Sequence, residues 1–158
     1  MKSDSNHRQA SPGHWHRLAI AVLTCYWLAV FGSTHVPRIS LPTHFNLFDK
    51  VCHFAAFGLL TFLAHLAWNT RRPGLNQLRW KDLAIVMLVI AVYGVFDEIT
   101  QPLVGRSCEL LDWTADVLGI VFGTLAFAGC WGLARRVAHR PHERTATGSL
   151  PIAGCNRS

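Results

Sequence analysis

The sequence is short of charge. Only 15% of its 158 residues are Asp, Glu, Lys or Arg, and 51% are apolar. An ordinary soluble domain carries about 25% charged residues, so that class is excluded by composition. Cysteine pairing is missing as well: Cys25, Cys52, Cys108, Cys130 and Cys155 include no C-x-x-C and are odd in number, which leaves no disulfide framework to be read from spacing. Cys25 and Cys130 lie within apolar runs and are expected to be small buried hydrophobes. No compact metal motif such as H-E-x-x-H occurs. Net charge is +6, yet Lys and Arg flank apolar runs and do not line one face with aromatics, so no nucleic acid is expected as a partner.

What is present is a set of long apolar runs, and together they predict an all-α, four-helix transmembrane bundle in a single domain. Residues 18–32 form the first run, extended by Ser33 and Thr34 toward the ~20 residues of a spanning helix. A cleaved signal peptide is the competing reading; Phe31 and His35 spoil its small-x-small cleavage pattern, so a retained helix is expected. Two prolines in 35–46 stop it. Further spans are predicted at 48–68, 83–101 and 113–133, with a Pro-Gly loop over 69–82 and a break at Pro102 and Gly105. Residues 1–17 and 135–158 are expected to be disordered cytoplasmic tails around a membrane domain at 18–134.

Orientation follows from the cations. Twelve of the fifteen Lys and Arg fall in the N-terminal tail, the 69–82 loop and the C-terminal tail; only Arg38, Lys50 and Arg106 fall on the other side. The positive-inside rule then places both termini in the cytoplasm and the two short loops outside the cytoplasmic (inner) membrane, in up-down order. Cys52 and Cys108 would share that outer side, where a disulfide between them is conceivable but is not read from spacing.

Against this apolar background, five of the nine acidic residues crowd into positions 97–116. Ionisable groups on membrane-grade helices are costly and read as functional by default. Up-down order brings the start of the second span, the end of the third and the start of the fourth to one face. Asp49 and His53, Asp97 and Gln101, and Asp112 and Asp116 are each spaced i, i+4, so each pair shares a helix face. Asp112, Asp116, Gly119 and Gly123 fall within about 60° of one another at ~100° per residue. The two glycines form a G-x-x-x-G that lets a neighbouring helix approach along the acidic stripe. The acids are therefore expected to point into the bundle.

Six anions (Asp49, Asp97, Glu98, Glu109, Asp112, Asp116) face Lys50, Arg106 and His53. Raised pKa values, a bound cation or water would relieve the excess. The cofactor is left open: Asp49 and His53, with Asp97 and Asp112, would suit a divalent metal such as zinc or manganese. A network of ion pairs that merely pins helix ends is the structural alternative. His65 reads as a helix-packing histidine, and His35 and His44 as loop residues.

The motifs D-K-x-x-H-F at 49–54, D-E-x-x-Q at 97–101, G-R at 105–106 and L-L-D-x-x-A-D-x-x-G at 110–119 resemble the VanZ-like family, named for a protein linked to teicoplanin resistance. The likeness covers about residues 20–133. It implies polar site residues at Asp49, Lys50, His53, Asp97, Glu98, Gln101, Arg106, Asp112 and Asp116. Many members have Pro where this chain has Val104 and Asn where it has Asp116; the second difference adds an anion. Glycopeptide resistance is a phenotype of some members and carries no reaction with it.

The expected function is binding or modification of an envelope component, an anionic or lipid-linked headgroup, at the outer leaflet. Lys50, Gln101 and Arg106 would hold the substrate, and Asp97, Glu98, Asp112 and Asp116 would act as acid, base or ligands. A proton- or cation-linked transporter, whose path a homo-oligomer could complete, and a structural membrane helper are the rival classes. The lipid bilayer is the expected partner in all three.

Overall fold

The computed structural model describes residues 13–36, 46–72, 75, 77–105 and 110–139. They form four helices: α1 (His14–Thr34), α2 (Asn46–Thr70), α3 (Trp80–Thr100) and α4 (Leu110–His139). A 3-10 turn (Gln101–Val104) follows α3, and no strand occurs among the described residues. All four helices are long and apolar enough to cross a membrane. At 1.5 Å per residue, the 21 residues of α1 or α3 span about 31 Å, the thickness of a hydrocarbon core. In that medium every backbone N–H must be satisfied within its own segment, so an apolar run of this length has no conformation open to it but the helix.

Two helices outrun their apolar windows. α1 begins at His14, and α4 continues through Arg135 and Arg136 to His139. The helical ladder thus runs past both expected limits of the membrane domain, because long basic side chains carry their charge to the interface while their stems stay on the helix.

The helix ends explain the stops. In the last turn of α1, Ser33 Oγ donates to the Val30 carbonyl at 2.8 Å, while the Thr34 hydroxyl lies 3.0 Å from the Phe31 carbonyl and turns toward α3. At the end of α3, Pro102 cannot continue the ladder and the chain tightens into the 3-10 turn. Gly105 closes it at φ +78°, a left-handed conformation suited to glycine, with its N–H on the carbonyls of Gln101 and Pro102.

The bundle runs up and down. At one end Thr34, Lys50 and His53 meet residues of α3 and α4; at the other, His16 lies 3.4 Å from Thr70, and Arg72 pairs with Asp82 at 2.9 Å. The core gathers Phe57, Leu60, Val86, Ile90 and Ile120, with Val30 from α1. The outside is apolar too: Leu28, Leu88, Ile99, Leu118 and Leu125 are each more than 60% exposed. A soluble protein does not tolerate such a surface, whereas acyl chains cover it. Cys25 and Cys130 belong to this exposed surface, as does Cys52. The expectation that apolar context would bury the first two fails, because here apolar context means lipid as often as protein.

One seam sets the rest. Gly58 of α2 packs on Gly119 and Gly123 of α4: a Cβ at Gly119 would strike the Phe54 carbonyl oxygen, and one at Gly123 that of Gly58. The G-x-x-x-G expectation holds, with α2 as the approaching helix. Two backbones this close fix the facing of side chains one turn away, His53 on α2 and Asp116 on α4.

Candidate functional site

The seam aims the charged residues inward. Asp97, Glu98, Gln101, Asp112 and Asp116 are all buried, Asp97 and Asp116 at 0% exposure. His53 is buried with them, and Asp49 and Lys50 are half-buried nearer the end of the bundle. Arg106, Cys108 and Glu109 lie outside the described residues, as does His44. Eight of the nine residues expected at the site are therefore placed, and they converge from three helices.

They form two levels. At the outer level, Lys50 Nζ of α2 lies 3.1 Å from Asp112 Oδ1 of α4. Asp49, His53 and Asp112 each bring one donor atom within 4.8 Å of the others. One turn deeper, His53 Nδ1 lies 3.0 Å from Asp116 Oδ1. His53, Glu98 and Asp116 make a second such constellation, all three buried. A cavity of about 160 Å³ reaches this region between α1 and α2, lined by Ser33, Thr34, Asp49, Cys52, His53 and Phe57. It is large enough for a few water molecules or a small polar group.

Asp97 occupies a place of its own. Thr34 Oγ1 donates to its Oδ1 at 2.8 Å, the Tyr93 hydroxyl lies 3.4 Å from the same oxygen, and Gln101 Nε2 donates to Oδ2 at 3.1 Å. Its carboxylate is thus held by neutral donors, and it belongs to neither metal-capable constellation found among the described residues. The metal set read from spacing joined Asp49 and His53 to both Asp97 and Asp112; in space only Asp112 joins them.

Three of these neighbours escape sequence reasoning. Thr34 stands at the end of a span with nothing to single it out. Tyr93 precedes Asp97 by one helical turn, a signal masked by the apolar block around it. His35 lies just past α1, as expected of a loop residue, but its contacts are not legible: its ring stacks on Phe31 at 4.1 Å between centroids. Its Nε2 lies 2.9 Å from Thr100 Oγ1, and its Nδ1 lies 3.7 Å from Asp97 Oδ1. All three hold α1 or α3 around one carboxylate.

His65 sits apart, fully buried in α2. Its Nε2 lies 3.1 Å from Thr124 Oγ1 and its ring stacks on Phe127 at 5.2 Å. That is the expected packing histidine, except that Nδ1 has no hydrogen-bond partner among the described residues.

No curated protein and no solved structure matches the chain. The VanZ/LLP1 family model matches residues 4–132, most of the chain and every helix that builds the polar cluster. With four apolar helices and the motif residues gathered at one end of them, this chain is a multi-pass membrane protein that belongs to the VanZ/LLP1 family.

Proposed function

We propose that the polar end of the bundle faces outward from the cytoplasmic membrane and binds or modifies an anionic, lipid-linked headgroup of the envelope. The observation that carries this reading is the two-level convergence of Asp49, Lys50 and His53 with Asp112 and Asp116 beside a small cavity at a helix-bundle end. Charged groups at that depth are costly and are read by default as serving a ligand or a reaction. The uneven cations, twelve of fifteen on the opposite side, support the outward orientation.

In this reading Lys50, with Arg106, holds the anionic group, and the buried Gln101 amide orients Asp97. An ammonium suits a phosphate as a point charge and a guanidinium suits it as a fork. The deeper carboxylates Asp97, Glu98, Asp112 and Asp116 handle protons or ligate a cation, with His53 held by Asp116 as a candidate acid or base.

A transbilayer path is the rival reading, since buried polar residues recur along the bundle at His53, Thr61, His65, Asn69 and Thr124. His53 and His65 are about 18 Å apart along α2 at 1.5 Å per residue. Between them lie the Gly58–Gly119 backbone contact and the fully buried Phe57 and Leu60. That packing supports chemistry at one surface over transport.

The test is direct. Wild-type protein in nanodiscs should retain anionic lipid-linked headgroups over zwitterionic ones by native mass spectrometry, and Lys50→Met should lose that preference. Wild-type binding and turnover by folded Asp97→Asn and Asp112→Asn variants would remove the reading. A cation current through proteoliposomes would replace it with transport.

A further inference from the structure

We infer that His53, Glu98 and Asp116 form a site for one divalent transition-metal ion, zinc or manganese, buried between α2, α3 and α4. Each residue offers one donor atom, and the three atoms lie within 4.8 Å of one another. Around a tetrahedral ion with bonds of about 2.0–2.1 Å, donors stand about 3.3 Å apart. Each pair of donors therefore has at most about 1.5 Å to close. One imidazole and two carboxylates are a donor set that zinc and manganese both accept.

The second observation is independent of that spacing. Asp116 is fully buried, yet its Oδ2 has no hydrogen-bond partner among the described residues. Leaving a buried carboxylate oxygen unpaired is costly, so an orphan of this kind marks a place for an ion or a water. The oxygen is aimed at α3: it lies 3.8 Å from where a Cβ on Gly94 would stand. Gly94 is one turn before Glu98, so Oδ2 faces the side of α3 that carries the second carboxylate. Gln101 repeats the pattern. It is fully buried, its Nε2 lies 3.5 Å from Glu98 Oε1, and its own Oε1 is unpartnered. The amide nitrogen faces Glu98, so the unpartnered oxygen borders the cluster and a turn of the amide would offer it as a fourth ligand. Two orphaned buried acceptors bordering one three-donor cluster call for a positive centre there.

This site deepens the cation-ligating role given to the inner carboxylates above, and its test is separate from the headgroup reading, because an ion held by three helices needs no lipid. The full chain, purified in detergent with a histidine-free tag, stripped with a chelator and loaded with zinc or manganese, should retain a single ion per chain by elemental mass spectrometry. Glu98→Gln and Asp116→Asn should each weaken retention by more than about 10-fold, whereas Asp49→Asn should keep it. If Asp49→Asn loses the ion and Glu98→Gln keeps it, the outer constellation is the site and the inference fails. Should the buried variants not fold, cobalt on the wild type decides. An intense four- or five-coordinate spectrum, with a rise in thermal midpoint that chelator reverses, supports the site; no uptake overturns it.

Discussion

Replacing Gly119 by alanine adds a methyl group where the α2 backbone already lies. The new carbon would sit against the Phe54 carbonyl oxygen, 3.0 Å from the Gly58 nitrogen and 3.1 Å from the Phe54 carbonyl carbon. All three are backbone atoms, so no rotamer change relieves the contact; α2 and α4 must separate by on the order of 1 Å to restore van der Waals distance. Overpacking of this kind costs about 1–3 kcal/mol, and the better helix propensity of alanine returns only about 0.5–1 kcal/mol. The net expectation is a loss of about 1–2 kcal/mol. Gly129 and Gly132 lie on the same helix with nothing within 4 Å of an added Cβ, so alanine there should be neutral or stabilising by up to about 1 kcal/mol. Reversible unfolding in mixed micelles, run on Gly119→Ala, Gly129→Ala and Gly132→Ala in one detergent, reads the contrast. Separation of the seam also pulls His53 from Asp116, so metal retention should fall in Gly119→Ala and stay unchanged in the other two. Equal stability for all three variants would refute the seam as the feature that positions the site.

The remaining predictions concern single contacts. Thr34→Val keeps the shape but removes the hydroxyl at 2.8 Å from Asp97 Oδ1, and should cost about 1–3 kcal/mol in the same unfolding assay, with Thr34→Ser restoring most of it. Lys50→Met and Asp112→Asn should each destabilise, and the double variant should lose less than the sum, with a coupling of about 0.5–3 kcal/mol in a double-mutant cycle across the 3.1 Å pair. For His65 and Thr124, joined at 3.1 Å, the double replacement His65→Phe with Thr124→Val should be milder than Thr124→Val alone, which strands an imidazole nitrogen. Cys52 lines the polar cavity while Cys25 lies mid-span. A charged methanethiosulfonate added to intact cells should therefore modify Cys52 well before Cys25, and equal rates would contradict the depth assigned to the cavity.

Much of this arrangement is legible in the sequence, and the reason is the bilayer. A medium without hydrogen bonds forces apolar runs into helices, the cations fix an orientation to test, and i, i+4 spacing selects the helix face. The glycines at 119 and 123 then tell which face of the fourth span a neighbour can approach, though not which helix does. Spacing is silent about distance across the bundle. Asp97 and Asp112 look equivalent in sequence, both acids near the end of a span, yet one is wrapped by Thr34, Tyr93 and Gln101 and the other meets a lysine. Glu98 is adjacent to Asp97 in the chain and turned about 100° from it, which carries it toward His53 and Asp116. The partners of a carboxylate depend on helix rotation, and rotation is settled by packing. The exposure of Cys25 and Cys130 is lost for the same reason, since apolar periodicity does not separate a protein-facing side from a lipid-facing one.

The way into the cluster follows from how unevenly the helices pack. α2 and α4 are locked backbone to backbone, and α3 closes on them at Gly94, where an added Cβ would lie 3.2 Å from the Phe57 ring. α1 is different. Only Val30 and Thr34 are buried along its length, and cavities flank it at both ends: an apolar one of about 250 Å³ against α2 and α3, and the polar one of about 160 Å³ beside His53. Its hold on the polar end is a short chain of contacts, Thr34 to Asp97 and His35 to Thr100. A shift of α1 would expose Asp97 and His53 together without disturbing the α2–α4 seam or the residues it positions. α2, α3 and α4 set the positions of the polar residues, and α1, with only Val30 and Thr34 buried, is the helix that covers them most loosely.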